Sequence, residues 1–223
     1  MIGGFFYLSV RTINPGHSVR AASFICLYIC IMPGQKGITA IILAGGKSSR
    51  MKEDKGLVYF NGKMLVEHVI ASAKKMTDHI IIITANPAYR QFGYPCIEDE
   101  MKEKGPLGGI FTGLVHSSTE KNLVIGCDMP FLSQNIFNGL ISTCEGLDAL
   151  LTEHKGKIEP LCSVYDKSCI PHFRQLLEQD QLKITDALEG LKTRVISFDN
   201  EDWFAGNEFA NINSIEELNK YKL

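Results

Sequence analysis

Residues 38–55 read ITAIILAGGKSSRMKEDK, in which a short apolar run passes directly into a glycine-rich, basic loop. The run predicts a buried strand, and the two glycines leave backbone N–H groups uncovered where the strand ends. Arg50 and Lys55 add positive charge around that point, a pattern typical of a nucleotide polyphosphate site. The alternative interpretation is a Gly-Gly turn with a solvated basic face.

The spacing of the glycines excludes two common phosphate-binding loops. A P-loop would need glycine five residues before Gly46, where this chain has Ile41. The dinucleotide pattern G-x-G-x-x-G fails because Gly45 and Gly46 are adjacent and serines occupy the positions that should open the helix. Hydride-transfer chemistry therefore loses its main support.

Length and composition favour one ordinary globular domain. The chain has 223 residues, of which 45% are hydrophobic and 22% charged, enough for one sizeable core at about 150 residues per domain. The formal net charge of −2 gives no general attraction to nucleic acid, so phosphate binding must come from local groups. No nucleic-acid partner is predicted.

The cysteines and histidines show no metal-binding spacing. The cysteines form no C-x-x-C pair, and most lie in apolar runs, as expected of small buried side chains. We therefore predict neither disulfides nor a zinc site, and a reducing cytoplasm as the compartment. The seven cysteines are Cys26, Cys30, Cys96, Cys127, Cys144, Cys162 and Cys169.

The first 36 residues do not resemble the rest of the chain. The apolar run 21–32, AASFICLYICIM, is shorter than the roughly 20 residues that span a bilayer, and no small-residue cleavage site follows it. We predict no membrane partner, and we take Met32 as the expected translation start. Residues 1–36 are then a disordered leader or lie outside the native protein, and residues 37–223 form the one folded domain.

From Ile38 onward, short apolar runs alternate with helical periodicity, which is typical of an α/β domain with a mostly parallel sheet. Leu65, Val69, Ala73 and Met76 share one helical face, and a second helix is predicted from Leu107. We expect a single-domain, Rossmann-like, three-layer α/β/α sandwich. The predicted strands are 38–43, 80–85, 94–97 and 122–127.

Polar residues follow each of these strands. In an open α/β sheet, ligands bind at the carboxyl ends of the strands, so the loops should be considered together. We predict that they converge on one rim. The rim residues are the 45–55 loop with Gly45, Gly46, Arg50 and Lys55, then Thr84 and Asn86, Asp99 with the turn 105–109, and Asp128.

Asp128 is the strongest single candidate for a metal-binding residue. A carboxylate at a strand end suits Mg²⁺, which prefers one or two carboxylates with phosphate oxygens and water. Taken alone, Asp128 is better explained as the start of a turn or the cap of the helix that follows, and only the surrounding motifs favour the metal.

Near the end of the chain, Asn211 and Asn213 are candidate substrate-binding residues. On a short strand, their amides would share one face and could contact a ligand, although turn hydrogen bonding explains them equally well. Ser214 and Glu217 have capping-box spacing, so Ser214 is predicted to cap the last helix.

These stretches resemble the molybdenum cofactor guanylyltransferases, nucleotidyltransferases of glycosyltransferase A type. LAGGKSSRMKEDK is similar to their L-A-G-G-x-S-x-R-M-G-x-D-K, except that Lys52 replaces a glycine. CDMPF resembles C-D-x-P, GPLGG resembles G-P-L-x-G, and FANINSIEEL resembles F-x-N-x-N-T-P-E-E-L. The segment 158–177 resembles the family's substrate-side segment, with Glu159 where histidine is common, and Met64 replaces a usual proline. The likeness covers residues 38–221.

The resemblance implies the nucleotide-diphospho-sugar transferase fold and transfer of GMP from GTP to molybdenum-bound molybdopterin, with Mg²⁺ as cofactor. It also implies other molybdenum cofactor biosynthesis proteins and molybdoenzyme chaperones as partners. Implied nucleotide contacts are the backbone of Leu43, Ala44 and Gly45, with Lys55 on the phosphates, Asp99 on the nucleotide and Asp128 on the metal. Arg50 is our candidate for stabilising phosphate charge, and Gly46 and Thr84 complete the predicted nucleotide site.

Two alternatives stay open. A cytidylyl or sugar-phosphate nucleotidyltransferase has a similar loop, although the cytidylyl relatives usually read L-A-A-G where this chain has Gly45 and Gly46. A non-catalytic nucleotide-binding adaptor has little need of a metal carboxylate opposite the phosphate loop.

Overall fold

The centre of the molecule is an eight-stranded sheet with helices on both faces. The structure is a computed structural model that describes residues 9–12, 37–45 and 54–221. The strands are β1 (Ser9–Thr12), β2 (Ile38–Leu43), β3 (Tyr59–Phe60), β4 (Lys63–Met64), β5 (Ile80–Ile83), β6 (Cys96–Ile97), β7 (Lys121–Gly126), β8 (Ala149–His154), β9 (Lys157–Asp166) and β10 (Thr193–Ser197). The helices are α1 (Leu65–Ala73), α2 (Gly105–His116), α3 (Gln134–Thr143), α4 (Ile170–Glu178) and α5 (Ile215–Lys220).

The strand order is β1-β10-β8-β9-β7-β2-β5-β6, and β3 and β4 form a separate hairpin. β2 pairs in parallel with both β5 and β7, as predicted for the strands that carry the rim loops. β9 lies antiparallel between β7 and β8, and β1 is antiparallel to β10. The prediction of a mostly parallel sheet is confirmed.

The sheet is covered on both faces, because β2 carries apolar side chains on each of its two faces. Ile42 faces a core cluster that includes side chains of α1 and α3, whereas Ile41 faces a second cluster that includes α2 and α4. Both isoleucines are fully buried. This arrangement is the three-layer α/β/α sandwich that the continuous apolar runs predict.

Several predicted boundaries shift. The strand predicted over 80–85 ends at Ile83, and the one predicted over 94–97 begins at Cys96. α2 begins at Gly105 rather than Leu107, with Pro106 in its first turn, where proline is tolerated. β8 and β10 are absent from the sequence prediction, although ALL and VIS are their apolar signals.

Ser9–Thr12 lies within the segment that the sequence analysis separates from the domain, and it is an edge strand of the same sheet. Residues 1–8 and 13–36 lie outside the described residues, as do Cys26 and Cys30. The domain division at residues 36 and 37 therefore stays a prediction. No helix within the described ranges has the length and apolar character needed to cross a membrane.

A smaller cluster attaches the C-terminal segment to the domain. Ile212 and Leu218 pack with Phe60 and Leu65, all four being nearly or fully buried. Because Phe60 is the last residue of β3 and Leu65 directly follows β4, this cluster holds the chain around residue 212 close to the β3–β4 hairpin and the loop that precedes it. The contact links the two ends of the predicted nucleotidyltransferase domain.

Asp166 provides a stability prediction. Its Oδ2 lies 2.9 Å from Lys121 Nζ, and its Oδ1 accepts a hydrogen bond from Ser168 N at 2.9 Å. Burial raises the pKa of Asp166, but these hydrogen bonds outweigh it and hold the pKa below its usual value. We expect Asp166→Asn to lower the free energy of unfolding by about 1 kcal/mol at pH 7, measured by urea unfolding.

The pH dependence has a definite sign. A carboxylate with a lowered folded pKa stabilises fully above its unfolded pKa of about 4, and this stabilisation disappears as the pH falls through the folded value. The difference between wild type and Asp166→Asn should therefore shrink below about pH 4. Asp186→Asn, which disrupts an exposed ion pair with Lys183, is the control and should leave stability nearly unchanged, because solvent screens such pairs. A difference that persists undiminished at low pH would contradict the role of this carboxylate.

Candidate active site

The carboxyl ends of β2, β5 and β7 meet at one rim. Cys127 N donates to Leu43 O at 3.1 Å, and Ala44 N donates to Ile83 O at 2.9 Å. Thr84 N in turn donates to Ile97 O at 2.8 Å, which extends the row to β6. The predicted convergence of the loops is therefore confirmed for their described parts.

Lys55 lies at the centre of this rim. Its Nζ is 3.6 Å from Asp128 Oδ2 and donates to Asn213 Oδ1 at 2.5 Å. The side chains of Lys55 and Asp128 are 27% and 17% exposed, so the pair is reachable from solvent. Residues far apart in the chain thus bring a cation, a carboxylate and an amide to one point.

Asp128 follows β7 and is held by its backbone, since its carbonyl oxygen accepts from Ile212 N at 2.9 Å. Burial raises the pKa of its carboxyl group, while the Lys55 ammonium opposes the shift and Glu217 adds to it. A partly desolvated carboxylate of this kind gains from a neighbouring cation. It could therefore hold a divalent ion in addition to contacting Lys55.

The expected strand at Asn211 and Asn213 is wrong, because residues 211–213 form neither strand nor helix. Asn213 Nδ2 donates to Asn211 O at 3.2 Å, and Asn213 N donates to Glu217 Oε2 at 2.6 Å. Ser214 Oγ accepts from Glu217 N at 3.1 Å, which confirms the predicted helix cap. The Asn213 side chain is thereby turned toward Lys55, whereas Asn211 contributes a carbonyl oxygen to the turn.

Asp99 is anchored beside the first turns of α2. Its Oδ1 accepts from Thr112 Oγ1 at 2.8 Å and from Met101 N at 3.1 Å. A Cβ at Gly108 would lie 3.0 Å from Asp99 Oδ2, so a larger residue there would require Asp99 to shift slightly. The turn 105–109 and Asp99 thus form one packed unit of the rim.

The remaining predicted nucleotide residues differ in availability. Thr84 is 6% exposed, and its Oγ1 accepts from Asn86 N at 3.1 Å, so it supports its own loop. Leu43 O and Ala44 N are used within the sheet, whereas Gly45 is exposed. Gly46 and Arg50 lie outside the described residues, and their predicted roles stay predictions.

Sequence reasoning missed Asp54 and Tyr89 as members of the site. Asp54 accepts hydrogen bonds from Tyr89 Oη at 2.5 Å, Asn86 Nδ2 at 3.0 Å and Gly56 N at 3.2 Å. The available signal was the adjacency of Asp54 to Lys55 in the loop. No sequence pattern indicates that a tyrosine 35 residues further on reaches it.

The described residues contain no group of three or more histidine, cysteine or acidic side chains that could by itself hold a metal ion. The five cysteines in the described ranges are free, and four of them are buried. Any metal bound at this rim would therefore depend on Asp128 together with oxygens of the substrate and water.

Residues 40–193 match the family described as the MobA-like NTP transferase domain. A solved structure with the same fold is molybdopterin-guanine dinucleotide biosynthesis protein A from Archaeoglobus fulgidus. It is 25% identical with a TM-score of 0.68, and the match covers 82% of this chain and 95% of that one. Fold and rim together define a nucleotidyltransferase of the nucleotide-diphospho-sugar transferase fold.

Two curated relatives narrow the class. A probable molybdenum cofactor guanylyltransferase from Flavobacterium johnsoniae is 39% identical over 183 residues, covering 82% of this chain and 95% of the relative. A molybdenum cofactor guanylyltransferase from Vibrio campbellii is 34% identical over 187 residues, covering 81% and 93%. The chain belongs to the molybdenum cofactor guanylyltransferase family.

Proposed function

We propose that this protein transfers GMP from GTP to the terminal phosphate of molybdenum-bound molybdopterin. The products are the molybdopterin guanine dinucleotide cofactor and pyrophosphate. The observation that carries the proposal is the placement of Lys55 Nζ between Asp128 Oδ2 and Asn213 Oδ1 at the rim of the parallel strands. Family membership and the names of the relatives support the choice of guanine nucleotide and molybdopterin.

The reaction needs charge control more than a nucleophilic side chain. An oxygen of the acceptor phosphate attacks the α-phosphorus of GTP, and the bond from that phosphorus to the bridging oxygen breaks. Pyrophosphate leaves with the electron pair of that bond. The acceptor oxygen is already anionic at neutral pH, so no base must activate it. Fixed cations are required because two anions approach and a highly charged group departs.

Lys55 suits the phosphate-binding role because it is held at the rim and reachable from solvent. The backbone around Leu43, Ala44, Gly45 and Gly46 is proposed to line the nucleotide, with Thr84 supporting the neighbouring loop and Asp99 contacting the nucleotide. Arg50 is proposed to add positive charge at the phosphates. Asn211 and Asn213 are proposed to contact the acceptor or the nucleotide from the C-terminal segment.

Mg²⁺ is the proposed cofactor. The single carboxylate of Asp128, partly desolvated at a strand end, fits an ion that takes one or two carboxylates and substrate phosphate oxygens. When bound, Mg²⁺ would neutralise charge on the triphosphate. Asp128 is the proposed ligand. The backbone hydrogen bond from Ile212 N to the Asp128 carbonyl oxygen keeps this residue, and with it the carboxylate, at the rim.

A turnover assay tests the proposal. Purified protein is incubated with GTP or CTP, with and without Mg²⁺ and molybdenum-loaded molybdopterin, and both pyrophosphate and dinucleotide are measured. Pyrophosphate and guanine dinucleotide formed with GTP, Mg²⁺ and acceptor all present is the expected result. Faster turnover of CTP would support the cytidylyl alternative, and GTP binding without turnover would support the adaptor.

The physiological partners and compartment follow from the same proposal. Other molybdenum cofactor biosynthesis proteins would supply the acceptor, and molybdoenzyme chaperones would receive the product. A reducing cytoplasm stays the predicted compartment.

A further inference from the structure

A partly buried hydrogen-bond network adjoins Lys55 of the proposed catalytic pair. Both carboxylate oxygens of Asp54 are occupied, since Oδ1 accepts from Tyr89 Oη and Gly56 N and Oδ2 accepts from Asn86 Nδ2. Asp54 immediately precedes Lys55 and caps the 3₁₀ helix Lys55–Leu57, which is one turn long. Its orientation therefore determines where the Lys55 side chain starts.

The two side-chain donors to Asp54 come from a separate part of the fold. Asn86 follows β5 and caps the 3₁₀ helix Pro87–Phe92, its Oδ1 accepting from Ala88 N at 3.0 Å. Tyr89 lies in that helix with none of its surface exposed, and its ring packs in the core with Ile42 and Cys127. Burial raises the pKa of Tyr89 far above its usual value, so the phenol stays protonated and donates.

Tyr89 also reaches the side of the site that carries Asp128. A Cβ at Gly56 would collide with the Tyr89 hydroxyl and lie 3.2 Å from Cys127 Sγ. The Cys127 side chain therefore lies near the Tyr89 hydroxyl, and Cys127 directly precedes Asp128. One buried ring thus contacts the loop of the proposed phosphate lysine and the neighbour of the proposed metal carboxylate.

We propose that Tyr89 and Asn86, acting through Asp54, are positioning residues that fix Lys55 relative to Asp128. The inference rests on the proposed guanylyl transfer and adds residues that the sequence motifs do not assign. Misplacement of a catalytic group by about 1 Å can cost on the order of a hundredfold in rate, so loss of one support should be visible in kcat.

The test is Tyr89→Phe, which removes the hydroxyl and keeps the ring. We expect kcat for GTP-dependent dinucleotide formation to fall about tenfold, with KM for GTP changed less than about threefold. Asn86→Ala, which removes the donor to the other carboxylate oxygen, is a second variant should Tyr89→Phe fold poorly, with the same expectation.

The matched control is Thr77→Val. Thr77 contacts the amino end of β2, whereas the proposed site lies at the carboxyl end of that strand. Thr77 Oγ1 donates to Ile38 O at 2.8 Å and is buried, so the substitution also removes one buried hydroxyl. Its urea midpoint should fall about as much as that of Tyr89→Phe, while its kcat stays at the wild-type value.

A double-mutant cycle separates positioning from general stability. In a Lys55→Ala background, measured in single turnover, Tyr89→Phe should cost little further rate, because the group that it positions is absent. An equal loss in both backgrounds, or a wild-type kcat for Tyr89→Phe, would overturn the inference. Absence of guanylyl transfer by the wild-type protein would instead overturn the proposed function, so the two failures are distinguishable.

Discussion

Asp128→Asn is expected to lower kcat for dinucleotide formation by at least about a hundredfold, since one preorganised electrostatic group is typically worth a hundredfold to a thousandfold. The substitution keeps the size of the side chain and removes its charge. The contact between the Asp128 carbonyl oxygen and Ile212 N belongs to the backbone and should survive. The measurement is steady-state formation of pyrophosphate and dinucleotide at saturating GTP and Mg²⁺.

Stability should move in the opposite direction to activity. Burial raises the pKa of Asp128, so the ionised carboxylate is less favourable in the folded than in the unfolded chain. At pH 7 the asparagine variant should therefore have an unchanged or higher Tm. The control for loss of a negative charge is Asp186→Asn, because Asp186 is exposed and distant in sequence from the rim residues. This variant should keep the wild-type kcat. Near wild-type turnover by a folded Asp128→Asn protein would remove Asp128 from the site.

Lys55→Ala is expected to reduce kcat by at least about a hundredfold, through loss of the fixed cation beside the triphosphate. It should also raise KM for GTP, because the ammonium binds phosphate before as well as during the reaction. Lys167→Ala is a suitable control, since its Nζ donates to Ser117 O at 2.7 Å near the amino end of β7, away from the rim at the carboxyl end. Unaltered kinetics in Lys55→Ala would refute the proposed phosphate contact.

Lys55→Ala also predicts a stability effect that its partners explain. Without the ammonium, Asp128 is left largely buried with no cation beside it, and Asn213 Oδ1 loses its donor. The free energy of unfolding should fall by about 1–2 kcal/mol at pH 7. Adding Asp128→Asn to this variant should restore part of the loss, because the unpaired charge is then removed. Equilibrium urea unfolding of the two single variants and the double variant measures this coupling.

Local sequence features were sufficient to predict most of the strands and helices around the proposed nucleotide site. The continuous apolar runs predicted β2, β5 and β7 because a strand buried on both faces leaves no room for polar alternation. The 3.6-residue period predicted α1, and the capping chemistry of Ser214 and Glu217 predicted the start of α5. The ordered motifs likewise predicted the family. These features depend on neighbours within a few residues, which a sequence displays directly.

The arrangement of the site depended on long-range packing. Lys55 contacts Asn213 across 158 residues because Ile212 is buried against Phe60 and Leu65, and no local pattern encodes that contact. The expectation of a strand at Asn211 and Asn213 failed for the same reason, since backbone bonds to Glu217 and Asp128 replaced strand pairing. The hydrogen bond from Tyr89 to Asp54 was likewise not predictable from any local pattern in the sequence.

The sequence by itself therefore determined the class of fold, the order of the rim loops and the chemical types at the site. Tertiary structure alone decided the antiparallel insertion of β9, the return of the C-terminal segment to Lys55 and the support of Asp54 by Tyr89. The physical reason is that periodicity and capping are set by short-range geometry. Which distant side chains meet is set by how the whole core closes, because burial is favourable but does not specify a partner.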